Sequence, residues 1–294
     1  MGTPHLPPRA ASSARPRWAA AAAVPLLLAT LAAACDPPRP DRQGTGGEPR
    51  PGDVPERIVS LVPSATAVLL ALGAGESLVG RTDFDTARAL AHLPSIGVGL
   101  QPDLERLLEL RPDLVIRFAG PSDETTGERL DRLGVRHVAV RPDRVEDVRG
   151  VIRRLGDLTG RRHAADSLLS SLDAALAEVR AAVSGRPPVR TAYLLGGTPP
   201  WVAGPGTYID ELIGLAGGVN VFGDLDRLYA PVSPEELVAR PVDVLLTARG
   251  AKVDRALVRG TPLRELGPGV ELPGPALGDA AREVARALHP GILP

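Results

Sequence analysis

The sequence predicts an α/β protein made of two Rossmann-like lobes with parallel sheets, joined by one long backbone helix. Residues 161–183, RRHAADSLLSSLDAALAEVRAAV, are rich in Ala and Leu and contain no Gly or Pro, so they read as one uninterrupted helix. Gly160 stands before this stretch and Gly185, Pro187 and Pro188 stand after it, which punctuates both ends. On each side about 100 residues alternate strand-like and helix-like patterns, a sufficient length for one lobe. At 1.5 Å per residue the rod would run roughly 35 Å. Its buried stripe is expected to be Ala164, Leu168, Leu172, Leu176, Val179 and Val183.

The 294 residues divide, on this reading, into a leader at 1–34, a tether at 35–55, an N-terminal lobe at 56–145, connecting helices including the rod at 146–187, and a C-terminal lobe at 188–294. The leader carries Arg9, Arg15 and Arg17, then the apolar run from Trp18 to Leu31, then Ala32, Ala33, Ala34 and Cys35. That run is too short to cross a bilayer comfortably and suits a secretion signal. Small residues directly before the only cysteine resemble a bacterial lipobox, with Leu31 one place further from Cys35 than in the commonest form and Ala32 in its place. Acylation of Cys35 would tether the chain to a membrane on its extracytoplasmic side. A lone cysteine also excludes an internal disulfide and a cysteine-built metal site. Residues 36–55, DPPRPDRQGTGGEPRPGDVP, have almost nothing apolar to bury and read as a disordered tether. The formal net charge is −1, and the leader's arginines make the rest more acidic still. No basic stripe marks a nucleic-acid partner.

In the N-terminal lobe, Ile58–Val62 reads as a buried strand, followed by a helix opened by Pro63 and N-capped by Ser64, with Val68, Leu69 and Leu72 inward and Gly73 near its end. Leu78–Arg81 is a second strand, leading to the loop TDFDT. After a loop IGVGLQP, a helix starts at Asp103 and stops before Pro112. Strand Leu114–Phe118, helix Glu124–Leu133 and strand Val135–Val140 complete a second crossover. Strands separated by helices pair in parallel, and ligands gather at their carboxyl ends.

The C-terminal lobe starts with strand Thr191–Leu195, the loop GGTPPWVAGPG and a helix Thr207–Ala216 capped by Thr207. Ser233-Pro234-Glu235-Glu236 is a strong helix start, with a capping Ser, Pro at the first position and Glu three residues after the cap. Strand Val242–Thr247, a short helical region opening at Thr261-Pro262 and a last helix Ala276–Leu288 follow.

The phrases RIVSLVPSATAVLLALGAGESLVG, GLQPDLERLLELRPDLVI, GPGTYIDELIGLAGGVNVF, VSPEELVARPVDVLL and PGPALGDAAREVARALHP occur in this order between about Arg57 and Pro290. Together they resemble the ABC-importer substrate-binding proteins for cobalamin, ferric siderophores and haem, with the strongest likeness to the cobalamin binders. The resemblance implies two lobes spanned by a helix and a ligand held between them. The function it implies is that of an extracytoplasmic receptor. It would capture cobalamin or a related corrinoid, or else a ferric siderophore or haem, and deliver it to a permease dimer with its ATPase. It also implies ligand contacts for Phe84, Phe118, Trp201 and Tyr229, and permease docking for Glu105 and Glu235, one glutamate per lobe. At Gly99 an aromatic expected from the cobalamin binders is missing, and the segment before Pro275 is shorter than theirs.

The residues themselves fit a receptor for a large, flat ligand. Of three Phe, three Tyr and two Trp in the chain, Phe84, Phe118, Trp201 and Tyr229 fall where loops open toward the cleft, while Tyr193, Tyr208 and Phe222 lie in or beside regular elements. Arg81, Asp83, Asp85, Arg117 and Arg249 lie in the same loops, and arginine suits carboxylate, phosphate or propionate groups. Helix-first-turn acids such as Glu105 and Glu235 are also at home on purely structural grounds.

An enzyme is not expected. Gly73/Gly75 and Gly204/Gly206 begin a dinucleotide-like pattern, but Leu78 and Ile209 stand where the third glycine belongs, and there is neither a P-loop nor a Gly-x-Ser-x-Gly elbow. His5, His92, His137, His163 and His289 are scattered singly, so neither a directly bound metal nor a cofactor is expected. Tyr208 or Tyr229 could ligate haem iron. A monomer is expected. Two other classes stay open: an extracytoplasmic α/β enzyme using Asp83 or Asp85, and a sensor or scaffold that keeps the fold without transport.

Overall fold

A run of β-branched and aliphatic residues with no polar alternation, as at Ile58–Ser60 (β1) and Leu114–Phe118 (β5), belongs in a strand covered on both faces. The computed structural model describes residues 54–120, 123–256, 258 and 260–293. The expected leader, Cys35 and the expected tether up to residue 53 lie outside the described residues.

In the N-terminal lobe β1 pairs in parallel with Leu78–Gly80 (β2) and with β5, and β5 pairs in parallel with His137–Val140 (β6), giving the order β2-β1-β5-β6. The cap of helix α1 (Pro63–Ala71) lies two residues earlier than expected: Val62 occupies the cap position and Pro63, whose missing N–H costs nothing there, is the first helical residue, so Ser64 lies inside the first turn. The IGVGLQP loop is a small hairpin, Gly97–Val98 (β3) against Gln101–Pro102 (β4). It leads to α2 (Leu104–Glu109), capped by Asp103, whose Oδ1 accepts from Arg106 N at 3.1 Å. Helices α3 (Glu124–Arg132) and α4 (Val145–Leu158) complete the lobe and its exit.

The rod, α5, spans Arg162–Val183. Its C-terminal stripe is as expected, but Ala165 and Leu169 are the buried residues of the first turns, while Ala164 and Leu168 are only partly buried. Ala and Leu surround the helix on several sides there, so spacing alone left the face undetermined. Packing decides it: Ala165 meets α4 at Gly156 and Ala175 meets the last helix at Gly278, and a Cβ on either glycine would come within 2.5 and 2.7 Å of those alanines.

In the C-terminal lobe the expected parallel run is present as Val189–Gly196 (β7) beside Gly218–Asn220 (β9), Val244–Ala248 (β11) and Leu263–Leu266 (β12). The sheet continues past it as an antiparallel ribbon: Trp201–Ala203 (β8) pairs with β7 and Tyr229–Pro231 (β10) pairs with β8. The loop expected at GGTPPWVAGPG therefore contains a strand. The helix expected at Thr261-Pro262 is also a strand, β12. Pro262 directly precedes the strand and so takes no N–H from its ladder, and the open edge of β11 offered Leu263–Leu266 a full set of partners. Helices α6 (Tyr208–Leu215) and α7 (Pro234–Ala239) begin where their capping residues place them, and α8 (Leu277–Leu288) follows Ala276, which makes no side-chain cap. Thr207 and Ser233 accept from the N–H groups of Asp210 and Glu236, at 3.0 Å each.

One buried apolar cluster runs through both lobes, from Ile58, Leu114 and Leu69 through Leu155, Leu172 and Val179 to Leu212, Leu246 and Val284. It joins the inner faces of both sheets through α1, α4, α5, α6 and α8. The outer sheet faces have their own smaller cores, around Val59, Val115 and Leu130 on one lobe and Ala192, Leu194 and Phe222 on the other.

Candidate functional site

The carboxyl ends of β1, β5 and β7 converge on a cleft of about 340 Å³. The N-terminal lobe contributes Val62, Pro63 and Ser64 from the start of α1 and Phe118 from the end of β5. The connection between lobes contributes Pro142 and Asp143. The C-terminal lobe contributes Leu195, Tyr208, Tyr229 and the turn Glu271–Pro273. The floor is tied across the lobes: Tyr208 N donates to the Asp143 carbonyl at 2.5 Å and Val145 N donates to Glu211 Oε2 at 2.8 Å.

Val62, Pro63 and Phe118 also line a second hollow of about 200 Å³, which extends into the N-terminal lobe between Leu61, Phe84, Gly99 and Leu100. Neither hollow is lined by a basic residue among the described residues.

The C-terminal wall is polar by contrast. Tyr193, fully buried on β7, donates its hydroxyl to Glu271 Oε1 at 3.0 Å. Burial, and then the neighbouring Glu271 charge, push the Tyr193 phenol far above its ordinary range, and burial does the same to Tyr208. Tyr229 is pushed up to about 12, first by burial and then by the charges of Asp143 and Glu271. Glu271 itself is raised by burial, against the bond it receives from Tyr193. The wall therefore presents neutral phenols beside carboxyl groups, which is a hydrogen-bonding surface.

The expected contact residues divide. Phe118 and Tyr229 line the main cleft and Phe84 lines its N-terminal extension. Trp201 lines neither hollow; it is 44% exposed at the start of β8, two residues along the ribbon from the Ala203–Tyr229 pair and on the same face. Arg117 does not reach the cleft. It follows the outward side of β5, paired with Asp123 Oδ2 at 2.8 Å and donating to His137 Nδ1 at 3.1 Å, because residues alternate sides along a strand and Phe118 takes the cleft side. Asp83 accepts from Ser95 Oγ at 2.5 Å, and Asp85 accepts from both the N–H and hydroxyl of Thr82 at 2.8 Å, so both acids brace their own loop. Arg81 donates to the Thr82 carbonyl at 3.1 Å, and its buried Nε has no partner among the described residues. Arg249 is exposed just beyond the carboxyl end of β11, with its backbone N–H on Leu266 O at 2.8 Å.

Glu105 and Glu235 are both exposed and occupy equivalent places: each is the second residue of a six-residue helix whose cap, Asp103 or Ser233, lies two residues before it. Tyr208 is expected beside a regular element and at the cleft only as a haem-iron ligand, and Glu271 is not expected at the cleft at all; both line it. Tyr208 had a usable signal, since it directly follows a strong N-cap, and helix starts in such lobes sit at the carboxyl ends of strands. Glu271 had none, standing in a proline- and glycine-rich stretch without periodicity.

The absence of an aromatic at Gly99 has a physical reason. A Cβ there would lie 2.0 Å from the Leu61 carbonyl oxygen, so the hairpin packs backbone on backbone and no side chain fits.

Comparison with known proteins gives one consistent result. The family model described as periplasmic binding protein matches residues 58–262. A vitamin B12-binding protein of Vibrio cholerae is 25% identical over 197 residues, covering 67% of this chain and 71% of that protein. Among solved structures, the apo periplasmic haem-binding protein of Roseiflexus sp. RS-1 superposes with a TM-score of 0.70 at 27% identity, covering 81% of this chain and 99% of that one. The periplasmic vitamin B12-binding protein of Vibrio cholerae shares the fold, with a TM-score of 0.69 at 24% identity over 80% of this chain and 96% of that one.

Proposed function

From the premise that the chain belongs to the periplasmic binding protein family, we propose that it captures cobalamin or a related corrinoid between its lobes and delivers it to an ABC permease. The observation that carries this reading is the chemistry of the cleft: hydrocarbon on one side, neutral phenols and carboxyl groups on the other, and no basic lining residue among the described residues. A corrinoid offers a broad face with methyl groups and a rim of uncharged amides. Apolar contact and phenol-to-amide hydrogen bonds match it. Haem propionates and the anionic ferric catecholates would instead call for arginine or lysine. Haem is the second reading, favoured by the likeness to the Roseiflexus haem-binding protein and by tyrosines able to ligate ferric iron. Burial that keeps those phenols protonated weighs against it.

On the same reading the receptor does no chemistry. Phe84, Phe118 and Tyr229 contact the ligand directly, and Trp201 and Arg249 act from the mouth. Glu105 and Glu235 dock to arginines on the two halves of a permease, as their equivalent exposed places in the two lobes suit. Lipidation of Cys35 after removal of the leader holds the monomer to the membrane, with residues 36–55 as the tether.

The test is calorimetric titration of the chain beginning after Cys35 with cyanocobalamin, haemin and a ferric hydroxamate. Saturable binding of cyanocobalamin in preference to the other two supports the reading. Preference for haemin moves it to the second one, and no binding of a corrinoid removes the first. For docking, corrinoid-limited growth should fail with Glu105→Arg/Glu235→Arg while binding in solution persists; normal growth would reject the docking role.

A further inference from the structure

The N-terminal extension of the cleft has no role in the reading above beyond bulk apolar contact, yet its construction is specific. Its walls are Leu61, Val62, Pro63, Phe84, Leu100 and Phe118, all of them hydrocarbon. Phe84 is 64% exposed and Leu100 48%, so two large apolar side chains that line the hollow are also open to water. They cannot collapse inward. Phe84 is held by a loop in which Asp85 takes both Thr82 donors and the Phe84 N–H donates to Thr82 Oγ1 at 3.3 Å. Leu100 is held at the tip of the β3–β4 hairpin, which Gly99 pins against the Leu61 carbonyl. The hollow is thus kept open by the backbone at the place where no side chain can be carried.

Resting on the corrinoid reading, we propose that this hollow is a specificity subsite that takes one planar, uncharged ring system carried as an appendage by the ligand in the main cleft, namely an apolar base of a corrinoid. Size supports one or two rings: the hollow is about 200 Å³, whereas an apolar cavity of about 150 Å³ accepts benzene. Continuity supports an appendage: Val62, Pro63 and Phe118 line both spaces, so a group entering the hollow stays attached to what fills the cleft. Chemistry supports an apolar ring, because a purine base would leave its ring nitrogens and amino group without partners against hydrocarbon.

The experiment compares three corrinoids by calorimetry: cyanocobalamin with its dimethylbenzimidazole base, the adeninyl analogue with a purine base, and dicyanocobinamide with none. Wild type, Leu100→Asp and Phe84→Ala are titrated with each; both positions are solvent-exposed, so both variants should fold. The expected result is that wild type prefers cyanocobalamin over the other two by at least about tenfold, and that Leu100→Asp removes this preference while changing the affinity for dicyanocobinamide by less than about twofold. Phe84→Ala should reduce the preference in the same direction. Equal losses for cyanocobalamin and dicyanocobinamide, or no loss for either, would overturn the subsite while leaving the corrinoid reading in place. Should wild type bind no corrinoid, that reading fails, and the hollow is judged with indole as a free neutral two-ring probe. Saturable shifts of the Phe84 and Phe118 ring resonances that vanish in Leu100→Asp keep a ring-binding hollow. Their absence in wild type removes it.

Discussion

The two walls of the cleft are built from the same kind of lobe and do opposite work. The N-terminal wall is hydrocarbon throughout its larger residues, from Val62 to Phe118 and out to Phe84, whereas the C-terminal wall is a row of phenols with a carboxyl group behind it. The difference follows from the sheets. In the purely parallel N-terminal sheet every strand end runs straight into a helix or a braced loop, and the cleft receives what those turns carry. In the C-terminal lobe the antiparallel ribbon β8–β10 brings Tyr229 in sideways, next to Tyr208 at the start of α6. A ligand gripped this way draws undirected affinity from one lobe and orientation from the other.

The strongest way to break the contrast is at Gly99. With a Cβ placed 2.0 Å from the Leu61 oxygen, Gly99→Ala must push the hairpin off β1, and urea denaturation should show a loss of about 3 kcal/mol. A loss below about 1 kcal/mol would mean that the backbones do not touch there. The next largest effect belongs to Phe118, the one aromatic common to both hollows. Phe118→Ala should weaken ligand binding by about 100-fold, as for an anchor at the centre of an interface, while changing the melting temperature little. An unchanged affinity would move the ligand off the N-terminal wall altogether.

Much of this molecule was legible in its sequence where a local rule had no competitor. Thr207 and Ser233 cap their helices, β5 is at Leu114–Phe118, and the rod runs to Val183 as its composition requires. What escaped depended on partners distant in the chain. The strand at Leu263–Leu266 exists because β11 had an open edge, and the Ala165/Leu169 face of the rod exists because α4 lies against it. The site divides the same way. Phe118 and Tyr229 were readable as aromatics beside strand ends. Arg117 was misread because the alternation of β5 turns neighbouring residues to opposite sides, and Glu271 acquires its role only from Tyr193, 78 residues away in sequence.

That Tyr193–Glu271 bond gives a smaller test on the polar wall. Tyr193→Phe removes the donor and leaves the carboxyl group without it, at a cost of about 1 kcal/mol. Because the bond is what holds the Glu271 pKa down against burial, the carboxyl should titrate still higher in the variant. Carbon-detected NMR of the Glu271 carboxyl would read the change, and a downward shift would contradict the geometry.

The smallest effect is one of pH, and it separates the two walls most cleanly. Burial raises Glu271 above its ordinary value of 4.5, so the folded chain holds this proton more tightly than the unfolded chain does. Between the ordinary and the raised value the native state binds more protons, and stability must fall as pH rises. The contribution is complete below about 4.5 and lost as pH passes through the raised value. Because Glu271 is partly open to solvent, the loss should stay under about 1 kcal/mol. Glu271→Gln has nothing to titrate, so the wild type should lose melting temperature relative to this variant as pH rises from about 4.5 through the raised value of Glu271. A flat difference would mean that burial does not act on the carboxyl, and an opposite slope would mean that hydrogen bonds to the charged form outweigh it. The hydrocarbon wall supplies the control. Neither Phe84 nor Phe118 titrates, so the ligand-binding defect of Phe118→Ala should be the same at both ends of that range, whereas any defect of Glu271→Gln should change across it.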